Sequence, residues 1–216
     1  MGSNNLNGQL PQDWSQAQSL ERLYLSDNKF SGSLPGSFES LPNLVVLNVA
    51  GNKLSGEIPD MFDGMVGLRI LRLDFNEFTG TIPNSVGSLK QVRVFKLNSN
   101  FNTLTGQGGI VGPIPTAIGG LESVQILELH RNRIGGKIPD EIGNLTSLIY
   151  LDLQSNEFTG VIPASFANLS NLETFYVSDN DLSAPFPPAL CEVETIETMV
   201  VDCDLNCPLG CCSCRS

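Results

Sequence analysis

Asparagine returns along this chain at a fixed interval, at Asn28, Asn52, Asn76, Asn100, Asn132, Asn156 and Asn180. The interval is 24 residues, with one step of 32 between Asn100 and Asn132. Ahead of each asparagine stands an apolar triplet in the register L-x-x-L-x-L. The triplets are Leu20, Leu23 and Leu25; Leu44, Leu47 and Val49; Leu68, Leu71 and Leu73; and Val92, Phe95 and Leu97. They continue with Val124, Leu127 and Leu129; Leu148, Leu151 and Leu153; and Leu172, Phe175 and Val177. A half copy, Asn5 to Ser19, precedes them, and a partial copy without the asparagine, Ile196, Met199 and Val201, follows. Self-similarity at such a period marks a repeat architecture, in which one unit cannot bury its own apolar face and a stack of units can.

The alternation of Leu23 and Leu25 with Arg22, Tyr24 and Ser26 has a period of two, which predicts a short strand. One strand per repeat, joined by connections of constant length, predicts parallel strands about 4.8 Å apart. The strands are expected to be three to five residues long and centred on Leu23–Leu25, Leu47–Val49 and their equivalents. The recurrent asparagine is expected to turn inward and bond the backbone of the bend, because a buried amide without partners is costly.

A second signature follows each asparagine, as in Leu54-Ser55-Gly56-Glu57-Ile58-Pro59, Phe78-Thr79-Gly80-Thr81-Ile82-Pro83 and Phe158-Thr159-Gly160-Val161-Ile162-Pro163. Glycine opens backbone angles closed to other residues, and proline fixes φ and removes a donor. The signature therefore predicts an extended segment on the convex side. One short helical turn, carried by Phe62, Val86, Ile142 or Phe166, then returns the chain to the next strand.

Together the two signatures resemble the plant-type leucine-rich repeat, L-x-x-L-x-L-x-x-N-x-L-S-G-x-I-P, over residues 5–201. The resemblance implies an α/β solenoid, a curved right-handed superhelix with a parallel β-sheet on its concave face and short 3-10 or irregular segments on its convex face. It also implies that the sheet and its flank bind peptides or proteins, as in receptor ectodomains and in inhibitors of wall-degrading enzymes. Residues 1–195 are assigned to the repeats, and residues 196–216 to the partial repeat and a cysteine-rich cap.

Composition excludes several classes. Of 216 residues, 41% are apolar and densely placed, which argues against disorder. No apolar run approaches the ~20 residues of a membrane span. Acids outnumber bases 23 to 12, for a net charge of -11, which argues against nucleic acid, whose phosphates require cations. Twelve of those acids, but only one base, Arg215, fall in residues 138–216. Such a stretch is either a solvated face or a surface for a cationic partner.

All six cysteines, Cys191, Cys203, Cys207, Cys211, Cys212 and Cys214, lie near the C-terminus. A solenoid end exposes core and an unpaired strand edge, and a disulfide-linked cap would cover both. Six cysteines allow 15 pairings, and spacing does not choose among them. The rival reading is a thiolate metal cluster, but the spacing lacks two C-x-x-C pairs, and no metal is assigned. The tail Val201-Asp202-Cys203-Asp204 is similar to caps of secreted leucine-rich repeat proteins of diatoms. Sequons at Asn144 and Asn168 share one repeat position on the return turn, and with the cap they point to an extracellular location, secreted or at the cell surface. Met1-Gly2-Ser3 reads as a tag remnant, so the chain is expected to be a piece of a longer ectodomain, with attachment to a receptor chain as one outcome.

No motif for catalysis or for a cofactor emerges, and the chain is read as no enzyme. Glu128 and Asp152 would sit side by side on adjacent strands, a spacing that can serve glycoside hydrolysis, but on an open sheet without a pocket. Binding has more support. The outward rows across the sheet read Tyr24, Asn48, Arg72, Lys96, Glu128, Asp152, Tyr176; then Ser26, Ala50, Asp74, Asn98, His130, Gln154, Ser178; then Asp27, Gly51, Phe75, Ser99, Arg131, Ser155, Asp179. The candidate ligand-binding residues are Tyr24, Arg72, Phe75, Lys96, Asn98, Glu128, His130, Arg131, Tyr150, Asp152 and Tyr176. They combine aromatic rings and arginine, the residue types that dominate interface energetics. The eight residues inserted within 101–109 are expected to form a loop beside the concave face. An adhesive, matrix or ice-binding role is the alternative, although the rows are too mixed in size and charge for a regular ice-binding array.

Overall fold

The computed structural model describes residues 4–102, 104–208 and 210–215. Met1–Ser3, and with them the reading of a tag remnant, lie outside those residues, as does the side chain of Cys214. Nine strands form one parallel sheet: Arg22–Tyr24, Val46–Asn48, Ile70–Arg72, Val94–Lys96, Ile126–Glu128, Tyr150–Asp152, Thr174–Tyr176, Thr198–Asp202 and Ser213–Arg215. Each of the first seven is centred on the middle residue of its triplet, one residue earlier than expected. Leu23 pairs with Leu47 and Leu47 with Leu71, so the leucines stack in register from repeat to repeat. The buried triplets and the returning residues Phe38, Phe62, Val86, Ile118, Ile142 and Phe166 merge into one continuous core.

The returning turns are 3-10 helices, such as Gly36–Ser40, Asn84–Ser88 and Asp140–Asn144, each entered behind a proline. No α-helix occurs among the described residues. Proline fixes its own φ and favours the extended conformation in the residue before it, so the turn begins directly after it. The fold is thus a curved leucine-rich repeat solenoid with its parallel sheet on the concave side.

The L-S-G segments form strands of their own, which the sequence pattern did not predict. Asn7–Gln9, Lys29–Gly32, Lys53–Glu57 and Glu77–Thr79 make one parallel sheet, and Val111–Gly112, Arg133–Lys137, Glu157–Gly160 and Asp181–Leu182 make another. These strands are too short and too rich in glycine to show a period of two. Stacking the repeats places their backbone groups opposite one another.

The asparagines close the ladder between repeats. Oδ1 of Asn28, Asn52, Asn76, Asn100, Asn132, Asn156 and Asn180 accepts from the backbone N–H of Leu6, Phe30, Leu54, Phe78, Ile110, Ile134 and Phe158, at 3.0–3.1 Å. From Asn52 on, Nδ2 donates to a carbonyl of its own bend and to one in the preceding repeat, as Asn132 does to Leu129 and Leu97. Each amide thereby satisfies backbone groups in two repeats at once.

The ladder also locates the insertion. The bond from Asn132 to Leu97 spans 35 residues where that from Asn156 to Leu129 spans 27, a difference of eight. The bond from Ile110 to Asn132 keeps the usual separation of 22. The extra residues therefore lie between Leu97 and Ile110 and leave the core register untouched.

The ends are closed differently. At the N-terminal end Trp14 packs edge-on against Phe38, with centroids 5.2 Å apart. At the other end Cys191 is bonded to Cys211 and Cys207 to Cys212, and Cys203 is also disulfide-bonded. Cys207, Cys211 and Cys212, close enough together to hold a metal as thiolates, are thus committed to sulfur–sulfur bonds. The last repeat lacks its asparagine, and the Asp202 carboxylate accepts from the backbone N–H groups of Asp179 and Asn180 instead.

Two outcomes follow. Asn132→Ala should lower the stability to urea by about 1–3 kcal/mol, because it strands the buried N–H of Ile110 and removes one of the two amide bonds at the Leu97 and Leu129 carbonyls, whereas Asn43→Ala, at an exposed side chain, should change it little. A reducing agent should lower the melting temperature by the equivalent of about 2–5 kcal/mol, and a chelator should leave it unchanged. Free thiols with bound zinc would reverse the assignment of the cap.

Candidate functional site: the concave face and the insertion groove

The strand register brings the first outward row together as the repeat predicts. Tyr24 lies opposite Asn48, Asn48 opposite Arg72, and Arg72 opposite Lys96. Glu128 follows, then Asp152, then Tyr176. Most of the charges on this face are paired within it. Lys96 Nζ donates to Glu128 Oε1 at 2.6 Å. Arg72 makes a two-pronged contact with Asp74, at 3.1 and 2.8 Å. That bond, opposed by burial, raises the guanidinium pKa further.

The second row lies deeper than expected: Asn98 is only 2% exposed, and Asp74 and Ser178 are buried as well. Asp152, in the first row, is also only 2% exposed, so two of the candidate contact residues are buried. On a concave sheet side chains converge, and the long arms of the first row lean over the short second row, as Arg72 does over Asp74. Asn98 and Asp152 therefore act on their neighbours. Asn98 Nδ2 is 3.3 Å from His130 Nε2. His130 Nδ1 is 2.9 Å from Asp152 Oδ2, an ion-pair distance without the alignment of a hydrogen bond. Asp152 also accepts from the backbone N–H of Gln154. The Glu128 and Asp152 carboxylates, adjacent as predicted, are thus each occupied by a basic neighbour. Tyr150 and Tyr176 meet edge to face at 5.9 Å. Burial first, then the charges of Asp152 and Glu128, holds the Tyr150 hydroxyl well above the usual phenol range.

The third row occupies the bend before each ladder asparagine. Asp27, Phe75, Ser99, Arg131, Ser155 and Asp179 all have φ between 54° and 58°, and Gly51 has 65°. The left-handed conformation costs an ordinary residue about 1–2 kcal/mol, and glycine would suit it best. Phenylalanine and arginine nevertheless stand there, so backbone demand does not account for them. Phe75 is 54% exposed, and Arg131 is exposed and makes no ion pair among the described residues.

The insertion builds a wall beside this row. Phe101–Asn102 and Gln107–Gly108 form a small antiparallel ribbon. Asn102 Oδ1 orders its turn by accepting from the N–H groups of Leu104 and Thr105. Leu104, on that turn, is 95% exposed. The Arg133 guanidinium lies over the Phe101 ring, 5.8 Å from its centroid, and pairs with Glu157 at 3.1 Å. Between ribbon and bends runs an open groove of about 850 Å³, lined among others by Phe75, Ser99, Phe101, Leu104, Arg131 and Asp179. Of the candidate residues, Phe75 and Arg131 line this groove, and Arg72, Lys96, Glu128, His130, Tyr150 and Tyr176 lie on the adjoining sheet. Sequence reasoning set the inserted loop, and with it Leu104, beside the concave face, but missed Glu77, Arg133 and Glu157 as parts of the site. The only signal for them was the position of the insertion.

The profile of the leucine rich repeat matches residues 2–54, 18–78 and 122–182, well over half of the chain. The chain belongs to the leucine-rich repeat family. No curated protein matches over its sequence. Among solved structures, the PEPR1–AtPEP1 complex is similar with a TM-score of 0.83 and 29% identity, covering 91% of this chain and 30% of that one. The Arabidopsis receptor kinase HAESA, in complex with the peptide hormone IDA and the co-receptor SERK1, is similar with a TM-score of 0.68 and 30% identity, covering 93% and 37%. A plant ice-binding protein is similar with a TM-score of 0.65 and 27% identity, covering 87% and 65%. The chain thus spans about a third of the length of the receptor structures it resembles. These plant matches agree with a plant-type repeat and lend no support to the diatom likeness of the cap.

The pairing of Arg72 with a buried carboxylate has a measurable consequence. Arg72→Ala should destabilise the domain by about 3 kcal/mol, because it leaves Asp74 charged and buried. The double variant Arg72→Ala with Asp74→Ala should recover part of that loss in urea unfolding.

Proposed function

We propose that the chain is an extracellular recognition module that binds a peptide or an extended protein segment along its concave face and in the adjoining groove. The observation that carries this reading is the cluster of exposed Phe75 and Leu104 with half-buried Phe101, beside Arg131, which makes no ion pair among the described residues; left-handed bends and an insertion that the core does not require build it. Anchoring aromatics beside arginine, presented on short rigid elements, lose little entropy on binding. The complex of HAESA with the peptide hormone IDA supports a peptide as partner. A receptor ectodomain and a secreted inhibitor would use the same surface. The exposed sequons Asn144 and Asn168 end two neighbouring 3-10 helices, away from the groove, and fit N-glycans on a secreted chain.

The similarity to an ice-binding protein favours a second reading, a surface-binding protein. It would require a regular array of small groups, whereas the concave row passes through Arg72, Lys96, Glu128 and Tyr176.

A peptide selected on this domain from a displayed library provides the test. Phe75→Ala, Lys96→Glu and removal of the eight inserted residues should each weaken its binding by more than about 1 kcal/mol, or roughly fivefold. Lys53→Ala, on the convex sheet, should not. Unchanged affinity in the first three, together with losses from convex substitutions, would move the site to the other face.

A further inference from the structure

The C-terminal part of the concave sheet combines aromatic rings with a one-sided charge distribution. Between Lys137 and Arg215 the chain contains no lysine, arginine or histidine, and twelve acidic residues. Tyr150 and Tyr176 stand half-buried on neighbouring strands of this stretch, edge to face. Tyr176 lies opposite Asp152, which in turn lies opposite Glu128. The raised pKa of Tyr150 reports the negative field of those carboxylates in addition to burial. Two residues beyond Tyr176, and so on the same face, the fully buried Ser178 hydroxyl has no hydrogen-bond partner among the described residues.

We infer that the Tyr150–Tyr176 pair is a receptor for a cationic side chain, lysine or arginine, of the bound segment. The inference rests on the concave reading of the preceding subsection and gives the partner a charge. An aromatic face attracts a cation through its quadrupole, and partial desolvation strengthens the attraction. Carboxylates beside the rings add a Coulombic component that salt weakens. Arg131 lines the groove at the bends, and the other cations near this face are engaged elsewhere. Lys96 is held by Glu128 and Arg72 by Asp74, while Arg133 lies over Phe101. The Ser178 hydroxyl can accept from an ammonium or guanidinium group that enters beside Tyr176.

The chain has three tyrosines, and the third, Tyr24, begins the same row at the far end of the sheet. It is therefore an internal control. With ring-labelled tyrosine, the full chain is titrated with the tripeptide acetyl-Gly-Arg-Gly-amide and followed by NMR. The ring signals of Tyr150 and Tyr176 should move saturably while that of Tyr24 stays in place. The same tripeptide with citrulline in place of arginine should move none of them, and about 0.5 M salt should reduce the response at least about threefold. Absence of a saturable shift, an equal shift at Tyr24, or an equal response to citrulline would overturn the assignment. The concave reading fails separately, if Phe75→Ala and Lys96→Glu leave the affinity of the selected peptide unchanged, and neither result alters the tyrosine titration.

Discussion

The asparagine amide is the interaction on which the rest of the molecule depends. In each repeat the chain must leave a strand, turn through a left-handed residue and start the convex segment while its neighbours do the same a few ångströms away. That bend leaves buried N–H and C=O groups that no regular ladder can pair. Seven amides serve as both donors and acceptors for them, each linking its own repeat to the one before. The leucines provide the driving force for stacking, but they tolerate small shifts. The directional amide bonds lock every repeat at the same height and so set the register in which the concave rows align.

With the bend secured in this way, the residue just before the asparagine is free in its side chain although bound in its backbone. This explains how Phe75 and Arg131 can occupy a conformation in which glycine would be cheaper. It also explains how eight residues can enter between Asn100 and Ile110 without disturbing the core. The amide ladder closes on both sides of them, and the inserted chain folds back on itself as a ribbon. The insertion separates the convex strands into two sheets, yet the concave sheet runs through without a break. Variation is thereby directed to one rim of the solenoid, next to the face that the curvature makes concave.

The concave face itself is less wet than a list of its residues suggests. Lys96 with Glu128, Arg72 with Asp74 and His130 with Asp152 form cross-strand or same-strand pairs. These pairs organise the middle of the sheet and leave its margins, the tyrosines on one side and the groove on the other, as the surfaces open to a partner. Acids outnumber bases twelve to one after Lys137, and of these acids Asp152 faces His130 and Glu157 pairs with Arg133.

Period, triplet and asparagine determined the solenoid, the parallel concave sheet, the alternation of Leu23 with Tyr24 and the alignment of Lys96 with Glu128, because a repeat of constant length maps sequence position directly onto spatial row. The crowding of six cysteines after the last repeat likewise located a cap. The tertiary structure alone decided the pairs Cys191–Cys211 and Cys207–Cys212, since 15 pairings share one spacing. It also revealed the convex strands, whose glycine-rich segments lack any period. It buried Asn98 and Asp152, because the depth of a residue in a concave sheet depends on the arms of its neighbours, which a row of letters does not record. Finally, it joined Leu104 and Phe101 to Phe75 and Arg131 in one groove. That contact joins an insertion to the bends of neighbouring repeats, and the path of an insertion is set by the surface it folds against, not by the repeat it interrupts.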